Sequence, residues 1–468
     1  MSREKELAKN TAILTFGKIC TQCISFLLLP LYTALLNASE YGRFDLLITY
    51  GTLLIPLVNW QFDQGIFRFM LEYRHDKRKQ KGLFSTIVVA NTVQSILFFT
   101  VFKLIDRQLN IPYGNFLVWY VILHVYTALF MQFARGLGQN KIYAFASFIS
   151  AAFTIVLNVI FLVHFKWGLK GLLMATLASQ FITILYLSRT ICVWKYFSIK
   201  VISKEIYYSV KKYSIPLIPN NLAWWVVNVS DRTIVSYILG LTANGIYTVA
   251  NKFSGFFIQF YNIFNLSWTE TVALHYQDED RDTFLSETIT VIYKLFASTC
   301  FLICAVMPFV FPIIINERYS DAYWQIIILM YAMLLRVIVG LYSSVYVAQK
   351  NSKVIAYTSV ASAIINIMVH IICIGKIGLY AASLSTLVAF GTMALIRYKD
   401  INKMIKMRIS NQAIFSSVGI AVILLITYYI NIIFLNIGML LLVILYCIWL
   451  NRDIIVLLKK IRIKDINI

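Results

Sequence analysis

Six cations lie inside stretches otherwise too oily to hold them: Lys18, Arg68, Arg232, Lys252, Lys294 and Arg336. A charged side chain at the centre of a bilayer costs roughly 2.5–3.5 kcal/mol. Six of them facing lipid would cost about 15–20 kcal/mol, more than the ~5–15 kcal/mol by which a typical fold is stable. These side chains are therefore expected to face water. Polar and aromatic residues accompany them, chiefly Gln22, Asn59, Asn221, Trp225, Asn228, Gln259 and Asn262, while Asp63 is one of few acids at similar depth. Cations in excess suit an anionic solute. Phosphate or pyrophosphate fits best, because Arg and Lys bind it through charge-assisted hydrogen bonds. Amides beside indole faces suit the hydroxyls and C–H faces of a sugar. Part of this set has a plainer reading: Asn and Gln also glue membrane helices together, and Trp favours the interface. Arg68 is placed to snorkel toward a basic loop, and Asp231 beside Arg232 can neutralise its neighbour.

The spacing says which elements position these residues. Asp45, Thr49, Thr52, Pro56, Asn59 and Asp63 follow one another at steps of 4, 3, 4, 3 and 4, one face of a helix. Sliding the chain by 203 residues brings Gly42 onto Gly245 and that stripe onto Thr248, Lys252, Gly255, Gln259, Asn262 and Leu266. The preceding span behaves alike, with Thr15, Lys18, Gln22 and Ser25 opposite Ile218, Asn221, Trp225 and Asn228. Two helix pairs half a chain apart thus carry a wet stripe each, and the chain reads as an internal duplication. The stripes predict a polar cavity between two halves.

The rest of the chain agrees. Of its residues 60% are hydrophobic and 13% charged, and mean hydropathy is +0.74, so the solvent must be lipid. The fold class expected is an all-α polytopic membrane protein of about 14 spans, two parallel six-helix repeats forming two lobes plus two C-terminal helices. The spans bearing the stripes are read as 12–36, 44–70, 214–239 and 245–268. The expected divisions are an N-lobe over 1–190, a basic cytoplasmic linker 191–212, a C-lobe over 213–396, a second basic linker 397–412, two further helices over 413–450 and a tail 451–468. No cleavable leader is evident, and the first span is read as a retained anchor. With the N-terminus inside, 29 of the 42 Lys and Arg fall on inner segments and 7 on outer turns. That bias places both termini in the cytoplasm and explains the net charge of +21 without nucleic acid.

Other chemistry is not supported. Cys20-Thr-Gln-Cys23 has redox spacing but sits within an apolar span with no histidine near, and the five histidines are scattered, so no metal site is suggested. No nucleotide-binding loop, catalytic constellation or sizeable outer loop appears, and no enzyme is expected.

Two stretches carry a family resemblance. NTAILTFGKICTQCISFLLLPLYTALLNASEYGRFDLLITY (Asn10–Tyr50) and YSIPLIPNNLAWWVVNVSDRTIVSYILGLTANGIYTVANKF (Tyr213–Phe253) resemble the polysaccharide transporter family, the Wzx-type O-antigen flippases of the multidrug/oligosaccharidyl-lipid/polysaccharide exporter superfamily. The resemblance implies alternating access in the bacterial cytoplasmic (inner) membrane. The implied substrate is an oligosaccharide on undecaprenyl pyrophosphate, for O-antigen, capsule or exopolysaccharide. It also implies cavity cations for the pyrophosphate (Lys18, Arg232 and Lys252 by position), H⁺ or Na⁺ coupling with Asp63 as the acid, and no organic cofactor. Membrane lipids, a polysaccharide polymerase and a chain-length regulator are the implied partners. A multidrug exporter of the same superfamily is the alternative, and it would need an acidic or neutral cavity for cationic drugs.

Overall fold

The computed structural model describes residues 26–349, 351–405 and 410–453, apart from the side chains of eight residues, Asn228 among them. These are helical, with no strand among them. Contacts divide the chain into two compact units, one ending at Thr233 and the other beginning at Ile234.

The first unit holds α1 (Leu29–Leu35), α2 (Ala38–Asn59), α3 (Phe62–Glu72), α4 (Lys77–Leu109), α5 (Gly114–Gly136), α6 (Asn140–Asn158), α7 (Gly168–Ile191) and α8 (Lys204–Ser214). It also takes in most of α9 (Leu217–Ile238). Local chemistry sets the boundaries. Asn37 and Glu40 form a reciprocal capping box at the start of α2, each side chain meeting the other's backbone N–H at 2.8–3.0 Å. Asp76 caps α4 through the N–H groups of Arg78 and Lys79, both at 3.0 Å. A π-helical turn, Val159–His164, extends α6. The segment read as a basic linker contains α8, which packs on α3 and α4.

The centre of the first unit is α5, packed against α2, α3, α4, α6 and α7. Two apolar clusters fill the unit. Phe62, Ile66, Met70, Phe84 and Phe133 anchor one, and Leu47, Phe102, Leu117, Val121 and Leu173 the other. Buried Asn91 and Ser95 on α4, and Ser179 and Thr183 on α7, fall between the two in sequence.

The second unit repeats this scheme with α10 (Leu241–His275), α11 (Arg281–Ile314), α12 (Ala322–Ala348), α13 (Ser352–Ile377) and α14 (Tyr380–Met404). Its centre is α12, packed against α10, α11, α13 and α14. The order of partners matches: α6 lies on α7 and α7 on α5, as α13 lies on α14 and α14 on α12. The duplication read from two polar stripes therefore extends to how each six-helix repeat is packed. The appended pair, α15 (Asn411–Ile430) and α16 (Ile433–Leu450), lies on α11. Tyr323 of α12 stacks on Tyr428 of α15 with ring centroids 4.2 Å apart.

Ten of the described helices are long and apolar enough to cross a bilayer, so the protein is a multi-pass membrane protein. The count of fourteen is not reached. More than half of the first expected span lies outside the described residues, and the others missing are those with polar stripes, where residues such as Arg43, Asp45 and Asn59 lower the hydropathy.

Candidate functional site

The expected span 44–70 is not one helix. It ends as α2 at Asn59 and restarts as α3 at Phe62, with Trp60 and Gln61 both left-handed at φ 50° and 59°. Pro56 prepares the break, since proline has no N–H to give the preceding turn and its ring crowds the carbonyl four residues back. The single helical face read from Asp45 to Asp63 therefore turns a corner at its end. Asn59 holds that corner. Its Oδ1 accepts from the Gln61 N–H at 2.8 Å, and its Nδ2 donates to Asp63 Oδ1 at 3.0 Å. Gln64 Nε2 donates to the other oxygen, Asp63 Oδ2, at 2.7 Å. Asp63 is buried, with a neutral amide on each oxygen and no ion pair among the described residues.

The first part of α9 is stitched to this corner and to α2 by three side chains. Asn221 Nδ2 donates to Gln61 Oε1 at 2.9 Å, and Trp225 Nε1 donates to the Thr49 carbonyl at 3.1 Å. Further along, Arg232 Nη1 donates to Asp45 Oδ1 at 2.9 Å, with Asp45 buried and a quarter of the Arg232 side chain exposed. Asp231, read as a neutraliser of its neighbour, accepts through Oδ1 from the Arg232 backbone N–H at 2.9 Å. The guanidinium itself meets a carboxylate from the other stripe. Asn59, Asp63, Asn221, Trp225 and Arg232 thus belong to one continuous polar seam within the first unit.

The remaining described candidates lie on α3, α10, α11 and α12. Arg68 pairs with Glu72 at 2.8 Å on the half-exposed flank of α3. Lys294 reaches Asp453 at 3.5 Å, beside Ser410 and Trp449 next to the appended helices. Arg336 is partly buried on α12, its guanidinium 5.7 Å from the centroid of Phe390. Lys252 and Gln259 are partly buried on α10, and Asn262 is exposed there with its Nδ2 3.4 Å from Gln259 Oε1. Lys18 and Gln22 lie outside the described residues, as does the side chain of Asn228.

One cation escaped the sequence reading. Arg397, placed in the basic linker, is a residue of α14 and only 1% exposed. It donates to Thr358 Oγ1 at 2.8 and 3.0 Å and to the Val339 carbonyl at 3.1 Å, with Ser343 also in contact. A guanidinium with five donors can tie α12, α13 and α14 together in this way. The signal was the helical period from Tyr380 running on through the basic residues.

Against solved structures, the chain is similar to an inward-facing multidrug resistance MATE family transporter of the MOP superfamily, at 13% identity and TM-score 0.65, over 82% of this chain and 96% of that one. It is also similar to a MOP superfamily transporter from Pyrococcus furiosus, described as having a binding pocket of reverse polarity, at 14% identity and TM-score 0.57, over 84% and 95%. A Vibrio cholerae MATE transporter follows at 13% identity and TM-score 0.56, over 86% and 97%. These likenesses show the fold. A search of curated proteins finds no match. The profile described as polysaccharide biosynthesis protein matches residues 7–269, more than half of the sequence, and the chain belongs to that family.

Proposed function

We propose that this protein is a flippase that turns undecaprenyl-pyrophosphate-linked oligosaccharide repeat units across the bacterial inner membrane by alternating access. The observation that carries the reading is the polar seam of α2, α3 and α9, which puts amides, an indole and a guanidinium on spans of a polysaccharide biosynthesis family member. Amide donors and acceptors at that depth are costly unless they serve a polar solute or one another. Arg232, Lys252 and Lys18 are the pyrophosphate-binding residues in this reading, with Arg336 further along. Arg68 and Lys294 have carboxylate partners of their own and contribute least. Asp63, which two amides can serve in either protonation state, is the group for H⁺ or Na⁺ coupling. The two units would act as the lobes, and a polymerase and chain-length regulator would receive the product.

The test is the combined substitution Lys18→Ala, Arg232→Ala and Lys252→Ala in a strain lacking the chromosomal copy, with surface polysaccharide measured at equal protein level. Export is expected to fall at least ten-fold, with lipid-linked repeat units accumulating on the cytoplasmic leaflet. Full export would reject the cationic site. A drug exporter is the second reading, favoured by the multidrug transporters among the structural neighbours and by Asp45, which offsets Arg232. Restored drug resistance in a pump-deficient strain would select it.

A further inference from the structure

One row of α7, exposed except at Leu177, reads as an apolar strip with a cation at each end. Lys170, Met174, Leu177, Phe181, Leu185 and Arg189 follow at steps of 4, 3, 4, 4 and 4. The apolar members Met174, Phe181 and Leu185 are each 52% exposed. Lys170 and Arg189 are exposed too, and neither has an ion-pair partner among the described residues. Nineteen residues of helix separate the two, a rise of about 28 Å. A bilayer's hydrocarbon core is about 30 Å thick, so the two charges are spaced to reach its two polar boundaries.

Each cation opens onto a groove of its own. At the Lys170 end a groove of about 700 Å³ runs between α5 and α7, walled by Trp119, Trp167, Met174 and Leu177 and edged by Asn115 and Tyr113. At the Arg189 end a groove of about 510 Å³ runs between α6 and α7, walled by Phe153, Ile182 and Leu185, with Tyr186 and Thr190 beside the charge. Both grooves combine the same two parts: an apolar trough that matches an acyl chain, and at its head an unneutralised cation flanked by hydroxyl or amide groups. Indole rings at the head of the first are where the membrane interface favours them.

We propose that α7 carries two binding sites for anionic glycerophospholipid, one in each leaflet, with Lys170 and Arg189 receiving the phosphate head groups. The occupant is committed by charge and depth together. A zwitterionic lipid would fill the troughs equally well but would leave each cation with no net negative partner. A basic residue at the membrane surface favours an anionic lipid by about 1 kcal/mol, which is about five-fold in relative affinity. The sites do not depend on the transport reading, because they use none of the seam residues.

The test uses the full chain in nanodiscs containing brominated-chain phosphatidylglycerol or brominated-chain phosphatidylcholine at the same mole fraction. The tryptophan fluorescence attributable to the first groove is taken as the difference between the wild type and the Trp119→Phe, Trp167→Phe variant. Phosphatidylglycerol is expected to quench this component with about five-fold higher apparent affinity, and Lys170→Ala to remove the difference. Native mass spectrometry covers the second site: phosphatidylglycerol retained by the protein should fall with Arg189→Ala and fall again in the double variant. Arg189→Lys should retain it. Equal quenching by both lipids, or retention indifferent to both substitutions, would overturn the proposal. Equal loss of phosphatidylcholine in the variants would also overturn it, since it would show a change in packing without head-group recognition.

Discussion

Arg232 and Asp45 set the electrostatics of the seam, because an ion pair partly withdrawn from water must be kept or lost as a unit. Removing one partner of a well-buried pair costs about 3–5 kcal/mol, whereas removing both costs much less. With a quarter of the Arg232 side chain exposed, solvent takes part of that energy. Asp45→Ala is therefore expected to destabilise by about 1–3 kcal/mol. Asp45→Ala combined with Arg232→Ala should fall short of the summed single losses by at least 1 kcal/mol. Thermal unfolding in detergent reads both, and strictly additive losses would mean that the pair is no coupling. The pair also marks the limit of reading residues from a sequence. Asp45 lay on a stripe that the spacing identified and Arg232 one turn beyond another, yet the acid read as able to neutralise Arg232 was the adjacent Asp231. The period of a helix tells which residues share a face, but it does not say which face of a second helix they meet. Arg397 shows the converse, because a basic run reads as solvated until packing buries its first residue.

Among the elements, the junction of α3 with α5 leaves no room for a side chain at Gly136. A Cβ on Gly136 would stand 2.6 Å from Met70 Cβ and 2.7 Å from its Cγ. Neither is the free end of a flexible chain, so Gly136→Ala must push α3 away and is expected to cost about 1–3 kcal/mol. Arg74 adds to the constraint by donating to the Gly136 carbonyl through Nη2 and Nε at 3.0 and 3.1 Å. Gly419 on α15 has nothing within 4 Å of its Cβ position, so Gly419→Ala should leave stability unchanged or raise it by up to about 1 kcal/mol. Melting temperatures of the two variants side by side check this, and a harmless Gly136→Ala would disprove the close packing. Elements were legible where hydropathy alone decides them, as in α4 to α7 and α11 to α16. The break at Trp60 and Gln61 was not, because Pro56 is tolerated within many membrane helices and no glycine announces the left-handed turn. The helical state of α8 was hidden too, since its charge made it look like a loop.

For the whole molecule, the asymmetry of Lys and Arg is the ground for expecting both termini in the cytoplasm. A C-terminal green fluorescent protein fusion is expected to fluoresce and a C-terminal alkaline phosphatase fusion to be inactive, and the reverse result would invert the topology. The pattern of charges along α4 bears on how the first unit can move. Between Lys81 and Lys103 its residues are uncharged, over a rise of about 33 Å, close to the thickness of the hydrocarbon core. Sliding this helix along the membrane normal by one turn, about 5.4 Å, would pull one lysine or the other toward the oil, against a penalty of up to ~2.5–3.5 kcal/mol at full depth. Tilting keeps both ends wet. A shaft pegged at both ends in this way permits rocking and resists a piston stroke.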